Sequence, residues 1–76
     1  MPIFRVIAQR AAVFADPLAL YIEADPDRVE IVERIDRGTE FAGKPIWRKL
    51  PNEGIKTQWI ARETGGYVLP DCVRRI

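Results

Sequence analysis

The chain of 76 residues contains no histidine and one cysteine, and both shortages exclude whole classes of chemistry. Without histidine there is no imidazole to serve as general base or proton shuttle, and the commonest zinc ligand is missing. Cys72 alone can neither close an internal disulfide nor supply a metal site. Ser-His-Asp and Cys-His nucleophile systems are therefore excluded, and we expect a protein that is not an enzyme and uses no cofactor or metal.

Long apolar runs are also missing from the sequence. No stretch approaches the ~20 residues needed to cross a bilayer, and residues 1–5 show neither the basic nor the apolar region of a signal peptide. We therefore expect a cytoplasmic protein without a membrane partner. With 47% apolar and 30% charged residues, the chain is predicted to form one globular domain over residues 1–76. Lacking disulfides, it must rely on its core, and homo-oligomerisation is a second way of burying area.

Short apolar stretches separated by turn signals predict an all-β fold. The predicted strands occupy residues 3–14, 18–22, 40–42, 58–62 and 67–69. Tight turns are predicted at residues 63–66, which end in Gly65-Gly66, and at residues 70–73. Residues 43–45 and 50–54 carry turn signals on either side of residues 46–49, which we interpret as a short strand or an excursion between loops. Residues 74–76 are predicted to be a basic tail.

The segment 28–37 fits two structures. Pro26 after Asp25 resembles the start of a helix, and Glu30/Arg34 lie at helical pair spacing. The four apolar residues of the segment are all β-branched, however, which favours a strand. We predict a strand here and keep the helix as the alternative.

The sequence contains five short motifs whose order and spacing match those of one known family. They are Ala19-Leu20-Tyr21, the acids Asp25 and Asp27, Arg37-Gly38-Thr39, Gln58-Trp59-Ile60-Ala61-Arg62 and Gly66-Tyr67-Val68. Over about residues 19–73 this series resembles the Src-homology-3 family, including its bacterial branch. The resemblance implies a small all-β barrel of five to six short antiparallel strands, here with an extra N-terminal strand. It also implies a binding module.

The peptide groove of that family is only partly matched. Tyr21 corresponds to its first tyrosine, but Glu23 stands at the second tyrosine position and Gln58 at the groove tryptophan. Cys72 replaces the last groove tyrosine. The resemblance therefore does not imply polyproline binding. Because bacterial members often bind cell walls, a peptidoglycan-binding module is one alternative function.

The net charge of +1 conceals a division along the chain. Residues 16–40 carry eight acids against three arginines, a net of −5, whereas residues 41–76 carry seven bases against three acids, a net of +4. Such a division steers charged partners. It is equally compatible with a solvated surface whose charges pair internally.

Trp47, flanked by Lys44, Arg48 and Lys49, is the most suggestive local cluster, because tryptophan beside arginine is typical of interface hot spots. Alternatively, the Trp47 side chain packs on the barrel with its charged neighbours in water. Trp59 is predicted to be a core residue, and Cys72 a small buried residue. We predict a protein-protein interaction module, of a kind that fits a small phage or mobile-element accessory protein. The predicted partner-binding residues are Tyr21, Glu23, Asp25, Asp27, Trp47, Arg48 and Lys49. A nucleic-acid-binding barrel is the other alternative, using Trp47, Arg48, Lys49, Lys56 and Arg62.

Overall fold

The computed structural model describes residues 1–17, 30–49, 54 and 56–76, and this part of the chain forms one antiparallel sheet. Its seven strands are β1 Ile3–Val6, β2 Arg10–Phe14, β3 Ile31–Asp36, β4 Glu40–Lys49, β5 Lys56–Arg62, β6 Tyr67–Val68 and β7 Val73–Arg75. They lie in the order β3-β2-β6-β5-β4-β1-β7. A 3-10 turn at Pro70–Cys72 leads into β7. For the residues that the structure describes, the all-β prediction is confirmed.

The ambiguous segment 28–37 is a strand where the structure describes it. β3 covers Ile31–Asp36 and pairs with β2, so that Ile35 lies beside Ala11 in the core. Glu33, the polar exception on that face, pairs with Val13 and accepts a hydrogen bond from Nη1 of Arg62 at 2.8 Å. The preference of the β-branched side chains for a strand therefore outweighed the helical pair spacing. Glu33, which shares the apolar face, is compensated by its ion pair with Arg62.

β4 is longer than the sequence predicts, because residues 43–45 do not form the expected turn. Gly43 is buried, and a Cβ atom there would lie 2.7 Å from the carbonyl oxygen of Ala61. The glycine thus allows close approach of β5 rather than a change of direction. Pro45 lies opposite Ile60 in the continuous pairing of β4 with β5. Its missing N–H is harmless where the backbone nitrogen faces away from β5.

The two ends of the chain also differ from expectation. Residues 3–14 form two strands separated at residues 7–9, rather than one extended stretch. Residues 74 and 75 belong to β7, which pairs with β1, and are not a free tail. Tertiary pairing, which no local signal reveals, orders both segments. Cys72 is half-buried rather than buried, because it ends a 3-10 turn at the margin of the core, against which it packs.

The main core lies on one face of the sheet and draws on six of the strands. Its buried members are Phe4, Val6, Ala11, Val13, Ile35, Ile60, Val68 and Val73, with Phe41 and Cys72 packed against them. Trp59 is fully buried, as predicted, and packs edge-to-face on Phe14 with ring centroids 5.7 Å apart. Since Trp59 and Ile60 are consecutive in β5, they point to opposite faces. β5 is therefore buried on both faces and anchors the ribbon that it forms with β4.

Candidate functional site

The predicted partner-binding residues divide into two groups. Tyr21, Glu23, Asp25 and Asp27 lie outside the described residues. Trp47, Arg48 and Lys49 form the last three residues of β4, and all three are exposed. The described part of the site is therefore this end of β4 together with the strand beside it.

β4 changes partner along its length. Residues 40–42 pair with β1, whereas residues 43–49 pair with β5. Trp47 lies two residues beyond Pro45, the last position opposite a member of the main core, Ile60. Its side chain is 58% exposed, so it does not share the buried environment of Trp59. The switch of partners thus carries Trp47 past the core on a two-stranded ribbon.

The pairing of β4 with β5 decides which side chains accompany Trp47. Gln58 lies directly opposite it, and Lys49, two residues further along β4, lies opposite Lys56. Residues opposite one another in an antiparallel pair share a face, as do residues two apart in a strand. Trp47, Lys49, Lys56 and Gln58 are therefore one surface, which we name the Trp47 face.

The sequence-based cluster is only partly reproduced on this surface. Lys49 shares the Trp47 face, but Lys44 and Arg48 project from the opposite face of β4 because the strand alternates. Lys56 and Gln58 join it although they are distant in sequence. The alternation of side chains along a strand was enough to separate Lys44 and Arg48 from Trp47. The presence of Lys56 and Gln58 could be known only from the register of the β4–β5 pair.

The lysines of the Trp47 face are like charges without a compensating acid among the described residues. Another like-charge pair, Arg5 opposite Arg74, differs because Arg5 also binds Glu40 at 2.7 Å. On the ribbon, Lys49 lies opposite Lys56, and like charges in this position destabilise a sheet. No acid occurs in residues 41–49 or 56–62, and neither lysine forms an ion pair with a described residue.

Arg48 lies along the outside of β4. Its Nη1 donates to the carbonyl oxygen of Trp47 at 3.1 Å, while its own carbonyl oxygen accepts from Oγ1 of Thr57 at 3.3 Å. Thr57 Oγ1 in turn accepts from Nε1 of Trp59 at 3.2 Å. These contacts fix the ribbon to the buried tryptophan, so the Trp47 face has a defined backbone.

Arg62, which the nucleic-acid alternative includes, is committed to the fold. Its Nη1 binds Glu33 at 2.8 Å, its Nε donates to the carbonyl oxygen of Gly65 at 2.8 Å, and its side chain is 13% exposed. It anchors the β5–β6 turn and is not part of the exposed basic surface.

Other potential chemistry is sparse in the described part of the chain. No three acidic or cysteine side chains there lie close enough together to hold a metal ion. Partial burial, and secondarily the neighbouring Asp71 carboxylate, raise the pKa of the Cys72 thiol, which makes the thiol less reactive. Among these same residues there is no helix with the length and apolar character to span a membrane.

Comparisons of the chain with models of protein families, with curated proteins and with solved structures give no match.

Proposed function

We propose that this chain is a protein-protein interaction module, built as a Src-homology-3-like barrel, that binds its partner through the Trp47 face. One observation carries the proposal: a tryptophan that is 58% exposed lies on a ribbon beside two lysines that have no ion-pair partner among the described residues. Tryptophan is enriched among residues that dominate binding energy. The exposed tryptophan gains little from burial in the fold, and the two lysines repel one another. A partner with apolar and acidic groups would bury the ring and neutralise the lysines.

The barrel part of the proposal is supported by the positions of three matched motifs. Residues 37–39 form the turn between β3 and β4, Trp59 lies in the doubly buried strand, and Tyr67-Val68 forms β6 directly after the Gly65-Gly66 turn. Two short connections also join strands that are not neighbours in the sheet. Residues 7–9 connect β1 to β2 and residues 37–39 connect β3 to β4, although the strands of each pair lie four places apart in the sheet order. Both connections favour a strongly curved sheet.

The mode of binding that we propose is not that of the family's polyproline groove. Gln58 occupies the position of the groove tryptophan and lies opposite Trp47. The one exposed tryptophan is therefore on the neighbouring strand.

The experiment is affinity capture from a lysate of the source cells, followed by titration of the purified partner against matched variants. We expect Trp47→Ala to weaken partner binding at least tenfold. Val32→Ala removes a comparably exposed side chain (51%) from β3 and should leave binding unchanged. Circular dichroism and thermal unfolding establish that both variants are folded.

Two other ligand classes are outcomes of the same test. Trp47-dependent binding of a labelled (dT)15 oligonucleotide at low salt, with no protein partner, would replace the proposal by the nucleic-acid alternative. Trp47-dependent retention on purified peptidoglycan would replace it by the cell-wall alternative. A captured partner whose affinity is the same for Trp47→Ala and wild type would refute the Trp47 face as the site.

A further inference from the structure

The backbone of β4 offers a second recognition element next to the Trp47 face. Gly43 N donates to the carbonyl of Pro2, on the β1 side, whereas the Ala42 carbonyl accepts from Glu63 N, on the β5 side. Backbone groups alternate in direction along a paired strand. The backbone groups of Pro45, Trp47 and Lys49 therefore point away from β5.

No strand of the described chain lies beside this edge from Pro45 onward. β1 begins at Ile3 and its register with β4 covers only residues 40–42. Pro45 has no N–H, so the outward N–H donors of this edge are those of Trp47 and Lys49. The outward carbonyls of Pro45 and Lys49 accept no hydrogen bond from a described residue, whereas the carbonyl of Trp47 already accepts from Arg48. This alternating row is what an added strand requires.

Charge decides between the candidate occupants of this edge. Residues 41–49 and 56–62 contain no acid. Besides Arg62, which binds Glu33, the ribbon carries four cations, namely Lys44, Arg48, Lys49 and Lys56. A second copy joined edge to edge would bring two such sets together, and their repulsion opposes that contact. An acidic segment is attracted by the same charges, because its carboxylates can bind Lys49 and Lys56 and offset the repulsion between the two lysines.

We propose that the partner contributes an extended acidic segment that adds as a strand to residues 45–49 of β4. This inference rests on the proposed function and specifies the ligand chemistry of the same site. Backbone groups of the segment bind the N–H groups of Trp47 and Lys49. An apolar side chain of the segment packs on the Trp47 ring, and carboxylates on the same side bind Lys49 and Lys56. The backbone bonds give affinity, while the side chains give specificity.

The test begins with a phage-displayed library of random twelve-residue peptides, selected on the full chain. We expect the enriched peptides to be net negative, to include an apolar residue and to bind Trp47→Ala at least tenfold more weakly than wild type. Enrichment of neutral or basic peptides would overturn the acidic chemistry. If no enriched peptide depends on Trp47, this inference fails; the proposed function is judged separately by the captured partner.

Strand addition is then tested with a synthetic copy of an enriched peptide. Lys49→Pro removes an outward N–H and a charge, whereas Lys49→Ala removes only the charge, so we expect Lys49→Pro to bind at least tenfold more weakly than Lys49→Ala. Pro45, which has the same orientation in β4, indicates that the strand tolerates proline there. Should Lys49→Pro fail to fold, peptides N-methylated at alternate positions give the same test, and one methylated series must lose binding.

Amide hydrogen exchange provides the direct readout. On binding, the amides of Trp47 and Lys49 should exchange at least tenfold more slowly, while those of Ile46 and Arg48, already facing β5, should change little. Equal binding by the two Lys49 variants, with unchanged exchange at Trp47 and Lys49, overturns strand addition but leaves the proposed function standing. A dimer in gel filtration that Lys49→Pro dissociates would make a second copy the occupant and overturn the proposal.

Discussion

The β5–β6 turn contains two consecutive glycines, and the structure predicts that replacing them has very different consequences. Both have positive φ, 109° at Gly65 and 85° at Gly66. A Cβ atom on Gly65 would have no neighbour within 4 Å, whereas one on Gly66 would overlap Cγ1 of Val13, a core residue. Gly65→Ala is therefore a matched control for Gly66→Ala, because the pair differs chiefly in that overlap.

The two costs can be set out from the structure. Positive φ costs an alanine roughly 1–2 kcal/mol, and about 0.4–1 kcal/mol is regained because alanine restricts the unfolded chain. Gly65→Ala should therefore lower the free energy of unfolding by about 1 kcal/mol. The overlap with Val13 adds about 1–3 kcal/mol, as for other overpacked cores. We expect a total of about 2–4 kcal/mol for Gly66→Ala, against a whole stability on the order of 4–11 kcal/mol for a chain of this length.

Urea titration followed by tryptophan fluorescence measures these differences, since the buried Trp59 becomes exposed on unfolding. A double-mutant cycle identifies the cause of the larger loss. Val13→Ala removes the overlapping methyl group, so its combination with Gly66→Ala should cost about 1–3 kcal/mol less than the two single changes together. Equal losses for the two glycine variants, or strict additivity with Val13→Ala, would refute the steric reasoning.

Three further predictions follow from other contacts. Gly43→Ala should cost about 1–3 kcal/mol in urea titration, because its Cβ would lie 2.7 Å from the Ala61 carbonyl oxygen; an unchanged midpoint would contradict this. Glu33→Gln should lower the free energy of unfolding by about 1 kcal/mol or less, since that carboxylate is half exposed. Arg62→Met should lower it more, because the arginine side chain is mostly buried. If thermal unfolding ranks the two variants in the reverse order, the assigned roles are wrong. Burial raises the pKa of the Cys72 thiol, so Ellman's reagent at pH 8.5 should react more slowly with folded than with urea-unfolded protein. The same raised pKa stabilises the fold below the ordinary thiol pKa of 9.0, and this contribution is lost as the pH rises through the folded value; equal reaction rates would refute the shift.

The features that the sequence predicts correctly are those encoded by neighbouring residues. β-branched residues favour the strand now seen at Ile31–Asp36, and Gly65-Gly66 marks a tight turn. Residues 43–45 mislead because a glycine and a proline usually signal a turn. Whether they do depends on which strand lies beside them, and that information is not local.

The central residue of the candidate site was predictable from the sequence, but most of its neighbours on the surface were not. Trp47 stands out from composition alone, and its exposure agrees with a surface role. The identity of its companions depends on strand alternation and on the β4–β5 register, which bring Lys56 to the surface of Trp47 and move Arg48 away. The acidic residues of the prediction, Glu23 among them, lie outside the described residues, and their role stays a prediction.

The pairing of β1 with β7 has a consequence for how the chain folds. Phe4 lies opposite Arg75, so this contact closes a loop that includes nearly every residue. Closing such a loop before other contacts form carries a high entropic cost. The hairpins β2–β3, β4–β5 and β5–β6 have far shorter loops and should form earlier, leaving the β1–β7 pair among the last. Folding is therefore expected on the millisecond-to-second scale of small proteins dominated by distant contacts.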